Sequence, residues 1–229
     1  MPRYTTVLFD ADNTLFDFSK AERNALLLTL KSFDIPPSDA LVADYSRIND
    51  EMWKRLERGE LTKEALRVQR FLIFCQTHGL RADAARMAVT YTDFLSEQTC
   101  LIDGAEEVCA ALARQLRLYI VTNGIYSVQT RRFAASALKD CFSGLFISEE
   151  LGFEKPHPGF FEAVKRQIPH YRPEETLIVG DSLSSDIKGG LAAGIDTCWF
   201  NPAKKENTAH LPVTYEIKSL AELLALLLP

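Results

Sequence analysis

The sequence predicts an α/β protein whose doubly wound parallel sheet is interrupted by an inserted helical block. Three observations carry this. Over the second half of the chain, short apolar runs alternate with amphipathic segments of helix length, the pattern of a parallel sheet with helices on both faces. A similar run, TTVLF at residues 5–9, stands alone near the N-terminus. Between it and the others, residues 18–100 carry helical periodicity and no strand signal.

Residues 5–9 are β-branched and aromatic, which suits a strand buried on both faces. Ser19 and Glu22 read as a capping box, followed by Ala25, Leu26, Leu30 and Phe33 at helical spacing. Pro36-Pro37 ends that helix, and Ser38 is placed to cap the next, which carries Tyr45, Ile48, Met52, Trp53 and Leu56 and runs to Gly59. Thr62 opens a third helix with Leu66, Phe71 and Phe74, ending near Gly79, and a fourth runs from about Asp83 past Tyr91 and Leu95. Tyr45, Trp53 and Leu56 are expected in the core of this bundle. After Asp103-Gly104 the helix–strand alternation begins. Strands are expected at 118–123, 144–148, 176–181 and 196–201, with helices around 106–115, 127–138 and 159–167 and another ending at Gly194. A short YEI segment follows, and LAELLALLL reads as a buried helix closing the sheet rather than a membrane or partner helix. The expected organisation is a core of residues 1–17 and 101–229, with a helical domain at 18–100.

Composition narrows the function classes. With 229 residues, 47% of them hydrophobic and 25% charged, the chain holds one or two folded domains. A net charge of −5 gives no basic footprint, so no nucleic-acid partner is expected. No apolar run reaches the length of a membrane span. The N-terminus, MPRYTTVLFD, does not read as a secretory leader, so a cytoplasmic location is expected. The five cysteines form no C-x-x-C pair and read as reduced core thiols; the four histidines lack zinc spacing. Nothing in the sequence sets an oligomeric state.

In an open parallel sheet, reactive groups gather beyond the carboxyl ends of the strands. Strand one ends in Asp10-Ala11-Asp12-Asn13-Thr14, the next in Thr122-Asn123-Gly124. Lys155 follows the 144–148 strand, and Gly180-Asp181-Ser182 ends the 176–181 strand, with Ser185-Asp186 just beyond. Each alone has an ordinary explanation as a cap, a turn or a surface charge. Together they place carboxylates, a hydroxyl and an ammonium at one end of the sheet. Converging carboxylates repel unless a hard cation joins them, and Mg²⁺ prefers such oxygen ligands. A phosphate brought there needs donors, which Thr122, backbone N–H groups and Lys155 can supply. A carboxylate can attack phosphorus, and a second carboxyl two residues on can shuttle the proton.

This order of motifs resembles the haloacid dehalogenase (HAD) superfamily: D-x-D-x-T, a strand ending in Thr, then Lys, then an acidic motif, here GDSLSSD, whose second Asp lies five residues after the first. The helical insertion resembles that family's α-helical cap on a Rossmann-like core. The resemblance implies Asp10 as nucleophile and Asp12 as general acid/base. It implies Mg²⁺ held by Asp10, the Asp12 carbonyl and Asp181, with Asp186 in support. Phosphate would be held by Thr122, Lys155 and the Asn123 N–H, with Thr14 stabilising the loop. Asn13 stands where many members have Gly; Asn tolerates the left-handed region, so the turn is expected to survive. The strings DADNTLFDF, VTNG with Gln129 and Arg131-Arg132 following, and GDSLSSDIKGGLAAGIDTCWFNP resemble the bacterial pyrimidine 5′-nucleotidases.

The implied activity is hydrolysis of a small phosphate monoester, a nucleoside 5′-monophosphate with pyrimidine preference (UMP, dUMP, dTMP). Phe16, Phe18 and Tyr126 are candidate substrate contacts, the cap supplying most of the others and closing over the reaction. Alternatives are a sugar-phosphate phosphatase or phosphomutase, which would share every motif, and a 2-haloacid dehalogenase, against which Asp12 argues. A phospho-accepting receiver module is the non-enzyme alternative; the inserted helices and the D-x-D spacing fit it poorly.

Overall fold

The computed structural model describes residues 3–228. The described chain forms two compact units, one within Met1–Phe18 and Thr99–Pro229, the other Ser19–Gln98.

The first unit is built on a six-stranded parallel sheet: β1 (Thr6–Phe9), β2 (Arg117–Thr122), β3 (Gly144–Ile147), β4 (Thr176–Gly180), β5 (Asp196–Phe200) and β6 (Tyr215–Ile217), in the order β3-β2-β1-β4-β5-β6. Side chains alternate across it as the pleat requires. Val7, Phe9, Leu118, Ile120, Leu177 and Val179 join one core, and Leu8, Tyr119, Val121 and Ile178 join another. The first core is completed by α5 (Ala105–Leu112) and α10 (Glu222–Leu227), whose Leu223 and Leu227 are buried, so the C-terminal apolar run closes the sheet as expected. The second core takes Phe160, Phe161 and Val164 from α8 (Pro158–Gln167). A doubly wound α/β sheet is therefore the architecture. Its strand order reverses between β1 and β4, where such folds place their chemistry.

Three other helices surround the sheet: α6 (Tyr126–Ala135), α7 (Ser148–Leu151) and α9 (Lys188–Ala192). A single wide π turn at Leu183–Ile187 leads directly into α9. The single turn α7 and this π turn are additions to the sequence expectation.

The second unit comprises α1 (Phe18–Ser32), α2 (Asp39–Glu57), α3 (Lys63–His78) and α4 (Ala84–Ser96). Ser38, Thr62 and Asp83 cap α2, α3 and α4, each side chain accepting from a first-turn N–H; the sequence names Ser38 as a cap and places the other two at helix starts. The capping box at Ser19 does not form. The α1 helix begins at Phe18, and Glu22 turns inward, its carboxylate accepting from Ser46 Oγ at 2.6 Å and Asn49 Nδ2 at 2.7 Å. One buried and one half-buried donor outcompete an exposed cap. Tyr45 packs against Phe71, Phe74 and Tyr91 in the bundle core, where Leu56 is also buried; Trp53 is only half-buried.

Candidate active site

Register places the site. Phe9 pairs with Ile120 on one side and Val179 on the other, so β1, β2 and β4 end side by side. Residues just past those ends are neighbours across strand spacings of about 5 Å. Asp10 follows β1, Thr122 ends β2, and Asp181 follows β4.

Asp10 is buried, 8% exposed, its N–H held by Val179 O at 2.9 Å. Its Oδ1 accepts from Lys155 Nζ at 2.7 Å. The same ammonium donates to Asp186 Oδ1 and to Val121 O, each at 2.7 Å, so its three protons are all placed on protein oxygens. Asp186 lies on the π turn and folds back against the end of β4; its Oδ2 accepts from Ser182 N at 3.1 Å. This close approach requires Gly180, because a Cβ there would lie 2.3 Å from Asp186 Oδ2.

Carboxylate oxygens of Asp10, Asp181 and Asp186 all lie within 4.8 Å of one another. Two unit charges at that separation repel by about 3–4 kcal/mol at an effective dielectric of about 20. Lys155 alone does not balance three such groups. The proton affinities show the imbalance. Burial drives the Asp10 carboxyl well above the ordinary range; Lys155 opposes this, and Asp186 and Asp181 add to it. Asp181 is pushed up to about 7, first by burial and then by Asp186, against the pull of Lys205 and Lys155. For Lys155, burial works against the charge, but Asp10 and Asp186 more than reverse that and hold the ammonium above the usual lysine value. A set of converging hard oxygen donors with excess negative charge fits a hard divalent cation. This buried acidic cluster can hold a metal ion.

Main-chain contacts fix the surrounding loops. Asp181 N donates to Thr14 Oγ1 at 3.1 Å, so Thr14 ties the Asp10 loop to the Asp181 loop. Trp199 Nε1, on β5, donates to Asp181 O at 3.0 Å. Asn13 takes a φ of 60°, and its N–H closes the turn onto Phe16 O at 2.8 Å. The Asn123 side chain pairs with the Lys155 main chain in both directions, each bond 2.8 Å, which sets the loop that delivers the ammonium. Thr122 Oγ1, 1% exposed as a residue, accepts from Gly124 N at 3.0 Å.

The structure thus brings Asp10, Asp181, Asp186 and Lys155 into one cluster, with Thr122 and Asn123 on the adjoining strand end. Asp12 lies on the Asp10 loop, but its side chain is outside the carboxylate cluster and is engaged by α6. Its Oδ2 accepts from Gln129 Nε2 at 2.6 Å, and its Oδ1 from Arg132 Nη2. Phe16 is corrected from a candidate substrate contact to a core residue: it is 1% exposed, and the Arg132 guanidinium lies 4.5 Å from its ring centre. Phe18 is half-buried at the start of α1, and Tyr126 is exposed at the start of α6; neither joins the cluster. Sequence reasoning missed Trp199 and the actions of Gln129 and Arg132. The last two stand in the motif string after VTNG, but what they touch lies more than a hundred positions away.

A sequence model of the haloacid dehalogenase-like hydrolases matches residues 4–194 of this chain. The chain is 43% identical to HAD-hydrolase YfnB of Bacillus subtilis, over 97% of this chain and 95% of that protein. A crystal structure of YfnB bound to magnesium superposes with a TM-score of 0.94 at 42% identity, covering 99% of this chain and all of that one. Pyrimidine 5′-nucleotidase PynA of Streptococcus pneumoniae is 39% identical over 96% of this chain and 94% of its own length. Pyrimidine 5′-nucleotidase YjjG of Escherichia coli is 29% identical over 98% of both.

Proposed function

Because this chain belongs to the haloacid dehalogenase-like hydrolases, we propose that it is a Mg²⁺-dependent phosphatase acting through an aspartyl phosphate, with pyrimidine nucleoside 5′-monophosphates as substrates. The observation that carries this reading is the buried cluster of Asp10, Asp181 and Asp186 on Lys155, with a second acid, Asp12, on the same loop. A dehalogenase has no use for that second acid. Similarity to two pyrimidine 5′-nucleotidases supports the substrate class. The magnesium-bound relative supports the choice of cation. All five cysteines are free thiols, which fits a reducing compartment such as the cytoplasm.

Asp10, Asp181 and the Asp12 carbonyl would hold the ion, with Asp186 keeping Lys155 in place. When bound, Mg²⁺ neutralises charge on the carboxylates and on the phosphoryl oxygens. Asp10 attacks phosphorus: an aspartyl O–P bond forms, the ester O–P bond breaks, and Asp12 gives its proton to the departing 5′-oxygen. Asp12 then takes a proton from water, whose oxygen bonds to phosphorus as the aspartyl O–P bond breaks. Inorganic phosphate leaves, Asp10 is again a carboxylate, and Asp12 again carries a proton, as it did at the start. Lys155 holds Asp10 oriented and offsets its charge. When phosphate arrives, one of the three ammonium contacts exchanges for a phosphoryl oxygen, with the Thr122 hydroxyl and the Asn123 N–H as further donors.

The test is phosphate release from UMP, dUMP, dTMP, CMP, AMP, GMP, several sugar phosphates and an aryl phosphate, with Mg²⁺ and with a chelator. Mg²⁺-dependent release, greatest from the uracil and thymine nucleotides, is expected. Preference for sugar phosphates would overturn the substrate class but keep the mechanism. No release from any of them would overturn the phosphatase reading and direct the search to 2-haloacids.

A further inference from the structure

An acid/base residue must meet the leaving oxygen in one step and a water in the next, so its carboxylate has to be aimed. Asp12 is aimed by α6. Gln129 Nε2 and Arg132 Nη2 take one carboxylate oxygen each, and Arg132 Nη2 also donates to Gln129 Oε1 at 2.9 Å, so the two donors brace one another. Both are buried, Gln129 at 2% and Arg132 at 0% exposure. A buried guanidinium needs a carboxylate, and the contact found for this one is Asp12. Arg132 Nε and Nη1 have no hydrogen-bond partner among the described residues, so the guanidinium grips Asp12 end-on rather than as a fork.

Two further contacts tie this grip to the catalytic loops. The face of Arg132 rests on Phe16, whose main chain closes the Asp10–Asp12 loop through Phe16 N to Ala11 O at 2.8 Å and Asn13 N to Phe16 O at 2.8 Å. The Gln129 amide passes so close to Gly124 that a Cβ there would lie 2.0 Å from Nε2. The glycine after Thr122-Asn123 is therefore the clearance that lets Gln129 reach Asp12.

Resting on the phosphatase reading above, we infer that Gln129 and Arg132 are positioning residues for Asp12: a two-point latch that fixes the acid/base carboxylate, with Gly124 as its required gap. A fixed carboxylate is pre-aligned for proton transfer, whereas a loose one samples several rotamers. The benefit falls on the step that needs the proton.

Leaving-group dependence separates this role from a merely structural one. The kcat/KM values of Gln129→Met, Arg132→Met and Gly124→Ala would be compared with wild type on UMP, phenyl phosphate and para-nitrophenyl phosphate, each with Mg²⁺ and with melting curves recorded. Nitrophenolate departs without a proton; the alkoxide of UMP does not. We expect losses of about tenfold or more on UMP, smaller on phenyl phosphate and within about twofold on para-nitrophenyl phosphate, part of the roughly 10²–10⁴ that an acid/base supplies. Arg132→Lys, which keeps a cation there, should recover part of the loss on UMP. Equal losses on all three esters in folded variants, or no loss on any, would overturn the latch. Should Arg132→Met fail to fold, Gln129→Met and Gly124→Ala carry the same test. Wild-type protein inactive on every ester would instead mark failure of the phosphatase reading, and the latch would fall with it.

Discussion

Asp181 shows how strongly one residue's chemistry is set by its place in the cluster. Its carboxyl is pushed up to about 7, by burial first and by Asp186 next. Asp10 moves the same way for the same leading reason. Both folded-state affinities for a proton exceed the unfolded ones, so the cation-free folded state binds extra protons. The sign follows from linkage: this contribution favours folding fully below the ordinary carboxylate range and is lost as pH rises through about 7. A divalent cation reverses it by replacing the proton. Melting temperature measured without and with Mg²⁺ should therefore show a small stabilisation by Mg²⁺ near about pH 5 and a larger one near about pH 8. A Mg²⁺ increment that stays flat over this range would contradict the electrostatic account of the cluster.

The acids and Lys155 were legible in the sequence because each lies within a few positions of a buried strand's end or in the loop just beyond. Parallel-sheet physics says that such places are where function gathers. What Gln129 and Arg132 touch was not legible, since their partner is 117 and 120 positions away and no local pattern encodes the pairing. Phe16 misled for a related reason. An aromatic just past the Asp10 loop suggests stacking on a base, but its bridge to Leu101 and the guanidinium above it bury the ring.

At the level of elements, the π turn at Leu183–Ile187 is the device that returns Asp186 to the sheet. Its wide bond, from Ile187 N to Ser182 O at 3.1 Å, runs beside a narrower one from Asp186 N to the same oxygen at 3.0 Å. The sequence predicts a helix ending at Gly194 and carries no signal for the widening, which holds Asp186 between the Lys155 ammonium and the bare Gly180. Gly180→Ala should push Asp186 away from Lys155, lowering kcat/KM on the order of 100-fold. It should also cost about 1–3 kcal/mol of stability through overpacking. Steady-state kinetics and a denaturant melt check both; unchanged kinetics would mean that Asp186 does not have to sit where it does. Helix starts fared better, because caps are local: Ser38, Thr62 and Asp83 each satisfy N–H groups two or three residues on. The capping box at the α1 start failed because Glu22, its acidic member, turns inward to Ser46 and Asn49 of α2.

For the whole molecule, the chain departs from the sheet after its first strand and returns to it at β2. In space β1 lies between β2 and β4, although the nearer of these is more than a hundred residues on. Pairings this remote cannot form before the intervening chain is accommodated, so a high contact order and slow folding accompany the architecture. Alternation of strands and helices revealed the fold class. The strand order did not follow from that alternation, since it records which buried faces fit together. Among the described residues no helix is long and apolar enough to cross a membrane.

The central claim is that Asp10 carries a phosphoryl group during turnover and that Asp12 manages the protons. The most direct test is to mix Asp12→Asn protein with para-nitrophenyl phosphate and Mg²⁺, quench, and measure the intact mass and the modified peptide. The leaving group needs no acid, so the first step should proceed, while water attack, deprived of its base, should stall. The account predicts a burst of nitrophenolate and one phosphoryl group retained on Asp10. Steady release of nitrophenolate with no protein-bound phosphate, or phosphate on any other residue, would contradict it.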